Sequence, residues 1–228
     1  MSFKSDTPSV DPNRVPPGQT VTQGFPVLHY GDVPYYRDMS KWNFRIFGLV
    51  DQEVEISYKE FMALPRQEFN NDIHCVTTWS KLDNTWEGVP VSTIMSRVKL
   101  KPEAGYVMLH AEHGWTTNLP LEDFLKETSF FGIKHNGELL TPEHGYPMRM
   151  VVPHLYFWKS AKWLRGIEFM AKDKPGSFPH IPSANFLPAW RNMNLPPHYF
   201  CFYTRIQEEE ASKDKEPTMS SSLGRDRF

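Results

Sequence analysis

Prolines recur along the whole chain, 20 among 228 residues, and they limit the possible folds more than any other feature. Each one fixes φ and removes a backbone N–H, so it interrupts helix interiors and central strands. At about 9%, against an average near 5%, such a chain makes a poor helical bundle and suits short elements, turns and extended connections. Apolar residues at 39% and aromatics at 14% still supply a substantial core. The net charge of −2 gives no reason to expect a nucleic-acid partner. No stretch approaches the ~18 apolar residues of a membrane span. The first twenty residues contain neither an apolar signal core nor a twin arginine. Two cysteines, Cys75 and Cys201, make no disulfide framework. The expectation is a soluble protein of a reducing cytoplasm, without membrane or nucleic acid.

Residues 1–24 are polar and proline-rich, and are expected to be extended or mobile. Residues 42–50 alternate Trp42, Phe44 and Ile46 with polar positions, which predicts a half-buried strand. Ser57 and Glu60 have capping-box spacing at the head of a short helix over 57–64. Further short helices are predicted at 91–98 and 121–127, the latter entered through Pro120. Residues 105–112, 147–153 and 163–170 read as strands, and Asn136-Gly137 marks a hairpin. No repeat, βαβ rhythm or glycine-rich phosphate loop appears. A mixed α+β fold with short helices fits best, as one domain over 25–206. The charged segment 207–228 is expected to be a disordered tail.

Cys75 lies in "NNDIHCVTTWSKLDNTWEGV" among polar neighbours, which is unusual for a cysteine that merely fills a core. Its thiolate could attack a substrate or bind a soft metal. Zinc would need companion ligands at close spacing, and none is present. A cysteine hydrolase would need a base, and His74 faces away from Cys75 if the segment is a strand. Local sequence leaves the three readings open. Among the nine histidines, His144 stands out in "TPEHGYPMR", a turn that also delivers Arg149. A histidine and an arginine from one loop suit an anionic or heterocyclic ligand. In "PHLYFWKSAKWLR", Lys159, Ser160, Lys162 and Arg165 are interleaved with aromatics. That pattern fits a phosphate site and, equally, lysine stems lying over a surface.

Three blocks in order, "RVPPGQTVTQGFPVLHYGDVP", "HCVTTWSKLDNTWEGVPVSTI" and "EHGYPMRMVVPHLYFWKSAKWLRGIEF", resemble the molybdopterin-binding domain of the sulfite oxidase superfamily. The resemblance covers about residues 14–176 and is nearest to the small sulfite oxidase-like oxidoreductases. It implies a molybdopterin-binding α+β fold, the molybdenum cofactor, and two-electron oxygen-atom transfer on a small sulfoxide-, N-oxide- or sulfite-like substrate. By the same resemblance, Cys75 matches the thiolate ligand of molybdenum. His144 and Arg149 match positions that contact the pterin and an anion, while Lys159, Ser160 and Lys162 match the segment holding pterin and phosphate. His29 and Tyr30 fall where relatives carry an Asn-His pair, and His110 is a further cofactor-binding candidate. The cofactor supplies its own sulfur ligands, which accounts for the missing protein cluster.

The chain departs from the family in two places. Sulfite oxidases place an arginine four residues after the cysteine; Trp79 stands there, which implies a less cationic pocket and disfavours sulfite. After residue 176 the family's closing motifs are replaced by a proline-rich segment containing Cys201, to which a structural or incidental role is assigned. The resemblance carries no haem or dimerisation domain, so a monomer working with a separate electron-transfer protein is expected. Two other readings remain: a non-catalytic scaffold keeping the fold, and a cysteine hydrolase.

Overall fold

The structure is a computed structural model and describes residues 11–29 and 31–177. Tyr30, Cys201, the divergent end of the domain and the charged tail lie outside the described residues. Two mixed sheets carry the fold. In the first, the long strand β5 (Trp79–Pro90) pairs with β4 (Gln67–His74) and β8 (Phe130–His135), both antiparallel. β1 (Thr20–Val21) joins β5 in parallel, and β10 (Arg149–Val151) and the short β9 (Glu138–Leu139) pair with β8. The second sheet runs β3-β2-β11-β6-β7, with β3 at Val54–Ser57, β2 at Asn43–Gly48, β11 at Leu164–Met170, β6 at Tyr106–Ala111 and β7 at Thr116–Pro120. The class is therefore the expected α+β.

The helices are single turns: α1 (Tyr58–Met62), α2 (Val91–Met95) and α3 (Leu121–Phe124). Proline sets their limits. Pro90 and Pro120 are the N-caps of α2 and α3, and Pro65 follows closely on α1, where continued helix would clash. α1 has the predicted capping box, in which Glu60 N–H donates to Ser57 Oγ and Ser57 N–H to the Glu60 carboxylate at 2.8 Å. Among the described residues, no helix is long and apolar enough to cross a membrane.

Alternation along β8 and β10 divides the apolar residues between two cores. Phe131, Ile133, Met150 and Val152 join Phe44, Ile46, Leu109 and Ile167 of the second sheet in the main core. Phe130 and Val151 point the other way, to Ile73, Trp86, Leu140 and Phe157. The six-stranded sheet is thus apolar on both faces, and the second, smaller core supports the site described below.

The leader expected to be extended or mobile is, from residue 11, extended and tied down. Thr20 N–H donates to Thr78 O at 2.9 Å and Thr22 N–H to Ser80 O at 2.8 Å. Arg14 grips Asp72 with two bonds of 2.9 and 2.7 Å and reaches Asp83 as well. Charge pairing and strand addition offset the entropy that its composition would otherwise favour.

Candidate active site around Cys75

Cys75 follows β4 directly, and residues 75–78 turn the chain into β5. Its backbone is fully engaged: Cys75 N–H donates to Trp79 O at 2.8 Å, while its carbonyl accepts from Thr78 N–H and from Gln19 Nε2. The turn requires Thr78 at a positive φ of 68°. Register pairs Ile73 with Lys81 and His74 with Ser80, so Ile73, Cys75, Trp79 and Lys81 share one face of the hairpin. His74 lies on the other face. Ser80 Oγ donates to Gln19 Oε1 at 2.6 Å, so its only proton is used, and His74 Nδ1 is the donor in the 2.8 Å contact with Ser80.

The Cys75 thiol is 7% exposed, and the hydroxyl of Thr77 donates to its sulfur at 3.1 Å. Burial pushes its pKa up. The bond from Thr77, the backbone N–H groups of Thr77 and Val76, and the charge of Arg149 oppose that. No histidine contacts the sulfur among the described residues, so a nucleophile–base pair is absent there.

Arg149 opens β10 and is 2% exposed. Its Nη1 donates to His144 O at 3.1 Å and its Nη2 to Ser160 O at 2.7 Å, while Nε has no acceptor. The guanidinium lies over Phe157, 4.2 Å from the ring centre, with Phe25 at 5.8 Å. Burial pulls its pKa down to about 9, opposed by Cys75. Gly145, at φ 111°, makes this convergence possible. A Cβ there would stand 3.1 Å from Arg149 Cβ and 3.2 Å from Lys162 Cβ, and the backbone region itself favours glycine.

His144 stacks on Phe25 with centroids 4.2 Å apart, and its Nε2–H donates to Phe25 O at 3.1 Å. Its Nδ1 then accepts from Thr141 Oγ1 at 2.9 Å. On the other side, His135 packs against Trp86 at 4.4 Å and Phe25 at 4.8 Å and donates Nε2–H to Asn84 Oδ1. Burial, followed by the charges of Lys81, Arg149 and His144, depresses His135 to about 4. Lys162 donates to Glu143 O at 2.6 Å and is pushed down to about 7 by burial and by Arg149. Ser160 Oγ accepts from Val152 N–H.

Of the residues singled out in the sequence, Cys75, His144, Arg149, Ser160 and Lys162 converge. Lys159 does not join them, which corrects the expected role: its buried Nζ turns to β7 and donates to Asn118 O at 2.6 Å and Asn118 Oδ1 at 3.1 Å. Nor does His110, which sits on β6 and pairs with Glu168 at 3.0 Å, with Phe47 as its ring neighbour. It alternates with the core residues Val107 and Leu109, and so occupies the opposite face of that sheet. His29 is exposed, accepts or donates only at Gly31 O, and lies edge-on to Trp163. The sequence reading passed over Gln19, Phe25, Lys81, Trp86 and His135. Only His135, directly before the Asn136-Gly137 turn, had a local signal pointing to its placement on a strand.

Two features test this site for a ligand. Arg149 Nε, Trp79 Nε1 and Trp86 Nε1 are buried donors without acceptors, and the basic groups beside them have no carboxylate at hydrogen-bond distance among the described residues. A donor-rich, cationic and aromatic wall complements an anionic heterocycle, and a buried thiol beside it suits a soft metal. No cluster of three or more His, Cys, Asp or Glu able to hold a metal occurs among the described residues, so the ligand would have to bring most of its own coordination.

Comparison with known families agrees with that chemistry. Residues 30–178 match the family described as oxidoreductase molybdopterin binding domain, and the chain belongs to that family. It is a molybdopterin-dependent oxidoreductase of the sulfite oxidase superfamily, with the molybdenum cofactor as its cofactor. The chain is 60% identical over 176 residues to the uncharacterized oxidoreductase YuiH of Bacillus subtilis, covering 77% of this chain and 89% of that one. It is 25% identical over 173 residues to a putative protein-methionine-sulfoxide reductase subunit, YedZ1, of Azospira oryzae, covering 74% of this chain and 65% of the relative. The sulfane dehydrogenase SoxCD of Paracoccus pantotrophus shares the fold, with a TM-score of 0.55 at 21% identity, over 60% of this chain and 40% of that one.

Proposed function

We propose that this chain performs two-electron oxygen-atom transfer on a small sulfoxide-, N-oxide- or sulfite-like substrate, with the Cys75 thiolate as the single protein ligand of molybdenum. The observation that carries this reading is a buried cysteine with no base beside it, facing a cationic, donor-only wall. When bound, the cofactor supplies a metal able to exchange two electrons in a sulfur-rich coordination. The protein's part is to hold and orient. The turn over 75–78, pinned by Gln19, fixes the direction of the thiol. Arg149, His144, Ser160 and Lys162 would hold the pterin and its anionic groups, with His29 and Tyr30 at the margin. Phe25, Phe157 and Trp86 exclude water, which strengthens every charge interaction in the site. Trp79, in place of an arginine, favours a neutral substrate such as a sulfoxide. The chain would act as a cytoplasmic monomer, exchanging electrons with a separate electron-transfer protein.

Metal and pterin analysis of protein from a cofactor-producing host tests the reading, and near-stoichiometric molybdenum and pterin are expected. Cys75→Ser should lose oxygen transfer in a screen of sulfoxides, N-oxides and sulfite. Thiol alkylation should spare Cys75 in the loaded protein. A preparation from that host with no molybdenum would overturn it.

A further inference from the structure

Lys81 is the group on the Cys75 face that the reading above leaves unused. It is 8% exposed, two residues beyond Trp79 on the same side of β5, and paired in register with the fully buried Ile73. Its ammonium makes no hydrogen bond among the described residues. The carboxylate that bears on it is Asp83, which is itself bound by Arg14. Lys81 and Arg149 are both close enough to His135 to act on its charge, so the three basic groups border one space. Trp86 Nε1 and Arg149 Nε, both buried and without acceptors, belong to side chains lining that space, the indole against His135 and the guanidinium over Phe157.

Every unmatched polar atom named here is a donor, and the unmatched charge is positive. A neutral ligand would leave an ammonium and a guanidinium buried without compensation, at considerable cost. A compact group with several acceptor oxygens and negative charge satisfies all of them together. We propose that Lys81, His135 and Arg149 form an oxyanion recess on the Cys75 face, with Lys81 as the residue that makes it selective for anions. This rests on the cofactor reading for its place in the reaction. It changes the expectation drawn from Trp79, because the cation missing at that position is supplied two residues further along the same strand face. The oxyanion has two possible sources, the phosphate of the cofactor or an anionic substrate.

The experiment compares wild type, Lys81→Met and Lys81→Arg as full chains from a cofactor-producing host. It measures molybdenum and pterin content, and thermal shifts with inorganic phosphate and sulfate against chloride at equal ionic strength. If the recess holds the cofactor's phosphate, Lys81→Met retains cofactor about 10- to 100-fold less tightly, and Lys81→Arg largely restores it. If it serves a substrate, cofactor content is unchanged, and wild type is stabilised by sulfate or phosphate in a way that Lys81→Met loses and Lys81→Arg keeps. Either result supports the recess. Lys81→Met matching wild type in cofactor retention and in anion response would overturn it. Should wild type carry no cofactor, the cofactor reading fails, and the anion shift of that same chain still decides on the recess.

Discussion

The Arg149 guanidinium lies 4.2 Å from the centre of the Phe157 ring, and its two terminal nitrogens donate to carbonyl oxygens, His144 O and Ser160 O. The charge is thus positioned by neutral groups and keeps its Nε free. The planar fork fixes both the His144 turn and the Ser160 loop, which a single ammonium cannot do. Arg149→Lys should therefore fold but hold the cofactor poorly, with pterin and molybdenum content falling at least several-fold. Pterin fluorescence and metal analysis on the same preparation check this. Full cofactor content in Arg149→Lys would mean that the arginine serves packing alone.

Lys159 separates a structural lysine from a ligand-binding one. Its Nζ is buried and donates to both the carbonyl and the side-chain oxygen of Asn118, which joins the 157–163 loop to β7. Burial lowers its pKa to about 8, with Asp173 and Asp123 opposing. Lys159→Met removes donors from two buried acceptors and should cost ~2–4 kcal/mol in urea denaturation. Cofactor bound per folded molecule should stay unchanged. A variant of undiminished stability that loses pterin would return Lys159 to the cofactor site.

The legibility of the site followed the range of the signals. α1 with its capping box, the Asn136-Gly137 hairpin and the strand around Phe44 could be read directly, because each rests on neighbours a few residues apart. β4 could not: "QEFNNDIH" is mostly polar, and it is a strand because β5 pairs with it along nearly its whole length. Cys75, His144 and Arg149 were visible through motif blocks. Lys159 and Lys162 are three residues apart in one loop, yet one points to Asn118 and the other to Glu143. Spacing alone carries no information on that divergence. Phe25 and Gln19 were hidden for a different reason, since they come from a proline-rich leader whose composition gives no hint that it docks.

That docking gives the third prediction. Burial alone would raise the pKa of Asp72. The bonds from Arg14, the Asp83 backbone N–H, and the charges of Arg14 and His74 hold it below the usual carboxylate range instead. The stabilisation from this pair is present above about pH 4 and is lost as acid protonates Asp72 below that. Arg14 is partly exposed, so Arg14→Ala should cost only ~0.5–1.5 kcal/mol at neutral pH, and less in high salt. Denaturation at pH 7 with and without added salt measures it. Proteolysis of the leader should quicken in the variant.

His135 gives the last prediction, and its sign is fixed by burial. The folded ring is held at about 4, against an ordinary value of 6.5, first by burial and then by Lys81, Arg149 and His144. As pH falls below about 6.5 the unfolded chain takes up a proton that the folded ring refuses until about pH 4. This contribution to stability is complete above about pH 7, declines through that window, and changes no further once both states are protonated. The loss should be ~1–2 kcal/mol, less than the full shift implies because the ring is half-exposed. His135→Gln keeps a donor for Asn84 Oδ1 and removes the titration, so its stability should be flatter between pH 7 and 4. Urea denaturation of chain made without cofactor, at several pH values, gives both slopes. An oxyanion beside Lys81 would favour the protonated ring, so phosphate should shallow the wild-type slope and leave His135→Gln unaffected. Equal slopes for wild type and His135→Gln would assign the acid sensitivity to other groups.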